Sequence, residues 1–323
     1  MISAIKRSSG THASSAQNSR RRAMPWILRG VLSALCYVNA FTGLMAQQPP
    51  ASGTVQRTPV DAPGTVRILS LNSPHQRLPT RVHVVLPESA ASKHEESSRH
   101  LFPVLCFLPV EAQDGNRWGS LIEELHQFRI ADRHQVICVY PEFADLPWYA
   151  NHPDNPQLQQ EKYLLEDVIP LLESEFPVRR DQAGRFLIGF SKSGWGAWSL
   201  LLRHPDLFHQ AVAFDAPLMM DAPGKYGSGP MFGTTENFRM YQVSELLRQH
   251  QAEVSRQPPR LILIGDGNFR LEHQQIAALA AELQIPLLNV SGQVREHSWQ
   301  SGWVSPAVEL LQLPPGLVTV DNP

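Results

Sequence analysis

The chain has 323 residues, with 28 Lys and Arg against 30 Asp and Glu, for a formal net charge of −2. A balance so close to zero gives no reason to expect nucleic acid or another polyanion as the main partner. Hydrophobic residues make up 42% of the chain, ample for a large core.

Residues 1–29 are basic and Ser-rich, with Lys6, Arg7, Arg20, Arg21, Arg22 and Arg29, and Gly30 to Ala46 carries no charge. This reads as a secretory signal over 1–46, cut near Ala46. An uncleaved membrane anchor is the alternative, the only route by which a membrane would be a partner. The triple arginine is a weak hint of twin-arginine export. Residues 47–64, rich in Pro, Gly, Ser and Thr, read as a disordered linker. Cys36 leaves with the signal. Cys106 and Cys138 lie in apolar runs and read as small buried hydrophobes.

Val66–Leu71 and Thr80–Leu86 alternate in the manner of strands, and predict an antiparallel opening pair. His83 on the second strand faces solvent or a neighbouring element. His94 and His100 in the following charged loop have no companion ligands, so no metal is expected there. Pro103–Leu108 is a buried strand. A helix from Gly119 to Phe128 leads to a strand over Gln135–Tyr140. Strand and helix now alternate as in an α/β domain with a parallel sheet. The long polar loop from Pro141 to Gln159 carries Trp148 and Tyr149 at a strand's carboxyl end, where such sheets bind ligands. Glu161–Phe176 is an amphipathic helix, kinked near Pro170.

Next comes RFLIGFSKSGWGAWSLLLR, from Arg185 to Arg203. An apolar strand runs into Gly189-Phe190-Ser191-Lys192-Ser193 and then into a buried helix. A serine at a sharp strand-to-helix turn, flanked by small residues, has the form of a nucleophile elbow. The usual pattern is G-x-S-x-G, and here Ser193 takes the last position. The N–H of Lys192 points to where an oxyanion would form, at a helix N-terminus. A Gly/Ser-rich turn without catalytic meaning would look the same in isolation. Order along the chain favours chemistry: a triad of this fold runs serine, acid, histidine.

Ala211–Phe214 is a strand ending at Asp215, and Ala216–Tyr241 is long enough to cap the site. Val243–Val254 is helical. Arg260–Ile264 is a strand followed by Gly265-Asp266-Gly267-Asn268. Leu271–Gln284 is a helix and Pro286–Val290 a strand. The loop Ser291–Ser298 holds His297, and a last helix spans Trp299–Leu311.

These pieces together resemble the putative-esterase family of α/β-hydrolases, which includes esterase D, feruloyl and acetylxylan esterases and mycolyltransferases. The matching stretches are RVHVVLP, FPVLCFLP, the Trp148-Tyr149 loop with EKYLLEDVIPLLESEFPV, GFSKSGWGAW with LLRHPDLF and AVAFDAPL, and REHSWQSGW. The likeness covers a domain over 65–312 and leaves a tail at 313–323. It implies the α/β-hydrolase fold, a mostly parallel central sheet with helices on both faces. It also implies an exported serine esterase for small-molecule or carbohydrate esters, needing no metal or organic cofactor. By position, Ser191 would be the nucleophile, His297 the base and Asp266 the acid, with Asp215 and Glu272 as alternative acids. Relatives carry His-Gly where this chain has Leu108-Pro109. Pro109 has no N–H, so the second oxyanion donor would be Val110 or Glu111 beside Lys192. Trp148, Tyr149, Trp195 and Trp299 would line the substrate pocket; core packing is their other role. Acyl transfer to a hydroxyl compound and a non-catalytic binding protein are the competing functions.

Overall fold

The computed structural model describes residues 55–56, 65–91, 100–255, 258–314 and 318–319. The expected signal or anchor over 1–46 lies outside these residues, as does most of the expected linker. The described residues belong to one unit, Gln48–Pro323.

Among the described residues nine strands form the central sheet: β1 Val55–Gln56, β2 Val66–Leu71, β3 Thr80–Val85, β4 Val104–Leu108, β5 Ile137–Pro141, β6 Arg185–Phe190, β7 Gln210–Phe214, β8 Leu261–Ile264 and β9 Leu287–Val290. Their spatial order is β1-β2-β3-β5-β4-β6-β7-β8-β9. β1, β2 and β3 pair antiparallel, and β3 meets β5 antiparallel; every pairing from β5 to β9 is parallel. This is the α/β-hydrolase arrangement, with the expected antiparallel pair Val66↔Val85 through Leu71↔Thr80 at its start. β1 is a correction to the linker reading, since Val55 and Gln56 pair with Leu71 and Ser70. In the tail, Val318–Thr319 pairs antiparallel with His100–Leu101.

β4, β6, β7 and β8 are buried along their whole length. That is why their sequences, VLCFL, RFLIGF, QAVAF and LILI, read as continuous apolar runs: helices cover both faces of a parallel sheet. The period of two still sorts them. Leu187, Ala211, Ala213, Leu261 and Leu263 join one core, and Phe186, Ile188, Val212, Ile262 and Ile264 the other. On the first face lies α2, Lys192–Arg203, whose Trp195, Trp198, Leu200, Leu201 and Leu202 are fully buried. Each such side chain contributes roughly 1.5–3 kcal/mol by leaving water. Pro205 lies just beyond the end of α2 and cannot continue it. The other face is covered by α1, Leu121–Gln127, and by α4, Val304–Glu309, through Leu121, Leu125, Val304, Ala307 and Val308. Between β8 and β9 runs α3, Arg270–Glu282.

The helix expected to kink at Pro170 is continuous but uneven. Gln160–Lys162 is α-helical, Tyr163–Val168 forms a wider π turn, and Ile169–Glu175 is α-helical again. Pro170 has no N–H to give the Glu166 carbonyl, and the widened turn absorbs that loss. Cys106 and Cys138 are buried and free, and burial pushes the Cys106 thiol up to about 12.

Candidate active site

β6 delivers the chain to Ser191 at the carboxyl edge of the sheet. Ser191 has φ 56 and ψ −131, a strained backbone for a residue with a side chain, and α2 starts at the next residue. The turn is so tight that a Cβ on Gly189 would lie 2.0 Å from the Ser193 carbonyl oxygen. Ser193 fits where glycine is usual because its hydroxyl is consumed inside the turn. It donates to the Phe190 carbonyl and accepts from the Phe190 N–H, both at 2.8 Å.

His297 reaches this serine from the loop before α4, with Nε2 3.0 Å from Ser191 Oγ. Its Nδ1 lies 2.6 Å from Asp215 Oδ2. An ionised carboxylate only accepts, so Nδ1–H donates to Asp215 and Nε2 is left to accept the serine proton. The carboxylate that meets the imidazole is therefore Asp215, not Asp266. Strand register supplies the reason. Phe190 pairs with Phe214 on the adjacent strand, so Ser191 and Asp215 leave the sheet side by side. Asp266 belongs to β8, one strand further out. Its N–H donates to Gln293 O at 2.8 Å and its Oδ2 accepts from Gly292 N–H, which ties the β8 loop to the loop carrying His297. Glu272 is also engaged elsewhere, accepting from Met219 N–H at 2.8 Å.

The Gly265-Asp266-Gly267-Asn268 stretch, unusual in sequence, is the seat of Asp215. Asn268 Nδ2 donates to Asp215 Oδ2 at 2.9 Å and Phe269 N–H to Oδ1 at 3.1 Å. A Cβ on Gly267 would come within 2.8 Å of Oδ1, so only glycine lets this loop close on the carboxylate. Asp215 is fully buried. Burial alone would raise its pKa, but the bonds from His297, Asn268 and Phe269 outweigh it and hold the carboxyl below its ordinary range. Under it sits His273, which the sequence gave no reason to single out. Its Nδ1 bonds Gly265 O at 2.7 Å and Ala216 N–H donates to its Nε2 at 3.0 Å. A neutral imidazole thus bolts the β7 loop to the β8 loop, and burial keeps its pKa low.

The model of the family described as Putative esterase matches residues 79–301. The chain belongs to that family. It is a serine esterase, acting on carboxylic ester bonds. Solved structures of similar fold include FphF, a fluorophosphonate-binding serine hydrolase of Staphylococcus aureus in substrate-bound form. It is 19% identical, with TM-score 0.63 over 77% of this chain and 98% of that one. The S-formylglutathione hydrolase FrmB of the same organism is 17% identical, with TM-score 0.61 over 76% and 97%. An S-formylglutathione hydrolase of Agrobacterium tumefaciens is 15% identical, with TM-score 0.59 over 81% and 100%. No curated protein is a significant match in sequence.

The four aromatics expected to line the esterase's pocket are core residues instead. Trp148, Tyr149 and Trp195 are fully buried and Trp299 is 1% exposed, so none offers a face to an arriving substrate. Trp148 and Trp195 pack edge to face with ring centroids 5.5 Å apart, Tyr149 OH donates to Pro109 O, and Trp299 packs on Phe190 and Phe214. A polar loop sequence hid this: its backbone is folded inward by Gln160, whose Oε1 accepts from both Trp148 N–H and Tyr149 N–H. The aromatics beside His297 are others. Trp118 meets it edge to face at 5.0 Å, Phe269 lies 6.0 Å away, and half-exposed Tyr226 stands edge on to Phe269. Trp118, in the polar loop after β4, was findable, because that loop leaves the same sheet edge as Ser191. On the oxyanion side, Lys192 is the first residue of α2, where the N–H has no partner within the helix. Val110 follows Pro109 at the end of β4 and is buried.

Proposed function

We propose that this esterase works through Ser191, His297 and Asp215, with a covalent acyl-enzyme. The unbroken line of hydrogen bonds from Asp215 through His297 to Ser191 carries this reading. His297 Nε2 takes the serine proton as Oγ attacks the ester carbonyl. Asp215 holds the tautomer and offsets the charge the imidazole gains. The N–H groups of Lys192 and Val110 receive the oxyanion. The protonated imidazole then gives its proton to the leaving alkoxide, and water, activated by the same imidazole, releases the acid. The aromatic wall of Trp118, Phe269 and Tyr226 suits small acyl or carbohydrate esters, whose apolar faces pack on such rings. The basic, then uncharged, segment over 1–46 points to export, which the distribution of a C-terminally tagged chain between cell fractions checks.

The test is a fluorophosphonate probe together with p-nitrophenyl acetate. Wild type is expected to label and to turn over the ester. Ser191→Ala is expected to lose labelling and at least about 10⁴-fold in kcat. Labelling that persists in Ser191→Ala would place the nucleophile elsewhere.

A further inference from the structure

Lys192 has a side chain as well as an oxyanion N–H, and its position is chemically uneasy. Nζ lies 6.0 Å from the centroid of the Trp148 ring, over a buried aromatic layer. Burial holds its pKa down at about 8; Glu111 draws it back up and Arg117 pushes it lower. Arg117, on the loop after β4, stacks on Trp118 at 4.7 Å, and Trp118 is the ring that touches His297. Both cations thus stand near the triad, Lys192 as the residue after Ser191 and Arg117 on the ring that touches His297. Among the described residues neither has a carboxylate within ion-pair distance, whereas Arg81, Arg185 and Arg203 are paired with Glu142, Glu173 and Glu161. Glu111 is the acidic group that acts on Lys192 through space, without an ion pair to it. The layer beneath adds donors too: the indole N–H groups of Trp148 and Trp195 are buried without an acceptor among the described residues. A desolvated ammonium next to a second cation is costly unless an anion arrives to share the site.

We infer that Lys192 and Arg117 select esters that carry a second, ionised acidic group, a carboxylate, on the acyl or the alcohol side. The inference rests on the Ser191 reading above and deepens it. The cations touch the remote charge of the substrate rather than the reacting carbonyl, so their mark is specificity between matched esters.

Two pairs of esters test it on the full-length chain: 4-acetoxybenzoate against its methyl ester, and phenyl hydrogen adipate against methyl phenyl adipate. Each enzyme serves as its own reference, so partial loss of folded protein cancels from the ratio. Wild type is expected to favour the charged member about tenfold in kcat/KM in at least one pair at low ionic strength, and to lose that preference at about 0.5 M NaCl. Lys192→Met and Arg117→Gln are each expected to cut the ratio at least threefold, while Lys192→Arg keeps it. A wild-type ratio below threefold in both pairs overturns the inference, as does a ratio that Lys192→Met leaves as it was. Turnover of neutral esters without charge preference would defeat this inference alone. Absence of both turnover and fluorophosphonate labelling would defeat the triad reading with it.

Discussion

The two walls of the active site are built on opposite plans. On the wall made by the loops after β7 and β8, the groups around the acid are matched. Asp215 accepts from His297, Asn268 and Phe269, and His273 satisfies the backbone on either side. On the wall made by the loop after β4 and the first turn of α2, Lys192 and Arg117 carry charge with no ion-pair partner among the described residues. Saturated hydrogen bonding fixes geometry, because any displacement leaves a buried polar atom unmet. Unsaturated charge leaves room for a substrate to complete the site. On the proposed reading the first wall holds the acid and base, and the second supplies the oxyanion donors and the charges that would choose the ester.

The contrast is broken most severely at the hinge shared by both walls. Gly189→Ala sets a Cβ against the Ser193 carbonyl, so the elbow must open. We expect about 3 kcal/mol of lost stability in urea melts, with activity lost even from the folded fraction. A milder cut leaves the fold and loosens only the matched wall. Asn268→Ala removes one of three donors to Asp215 and is expected to lower kcat about tenfold. It should also raise the Asp215 pKa. Asp215 titrates below its unfolded value, so its stabilisation is present above the ordinary carboxylate range and lost as pH falls through the folded pKa. In Asn268→Ala the folded pKa lies closer to the unfolded one, so less stability is lost as pH falls between them and the loss ends at a higher pH, which acid unfolding followed by tryptophan fluorescence reads.

The smallest effect sharpens the unmatched wall. Lys192 has a folded pKa of about 8, below the roughly 10.4 of an unfolded lysine. Below pH 8 the partly buried ammonium is charged and its desolvation cost is present, and between pH 8 and 10 the folded protein sheds the proton and the cost fades. Lys192→Met should therefore be more stable than wild type at pH 7, by of order 1–2 kcal/mol, and the gap should narrow at pH 10. A gap that widens with pH would mean that Lys192 is held by an anionic partner instead.

Much of this was readable in the chain. The elbow is written locally, in an apolar strand, Gly189, Ser191 and a buried helix, and the order of serine and histidine follows. The acid was not, because AVAFD and LILIGD present the same signal, an apolar strand ending in an aspartate. Choosing between them needs to know which strand lies beside β6, and that is a long-range pairing absent from either segment. The pocket aromatics failed for a related reason. Trp148 and Tyr149 sit in a polar loop, but Gln160, outside that loop, turns them into the core. His273 looked like one polar position on a helix, and only the meeting of two loop ends gives it a task.

The most direct measurement compares kcat for Asp215→Asn and Asp266→Asn on one p-nitrophenyl ester, with circular dichroism to confirm folding. The triad described here predicts a loss near 10⁴-fold for Asp215→Asn and less than about tenfold for Asp266→Asn. A large loss in Asp266→Asn, with Asp215→Asn close to wild type, would contradict it.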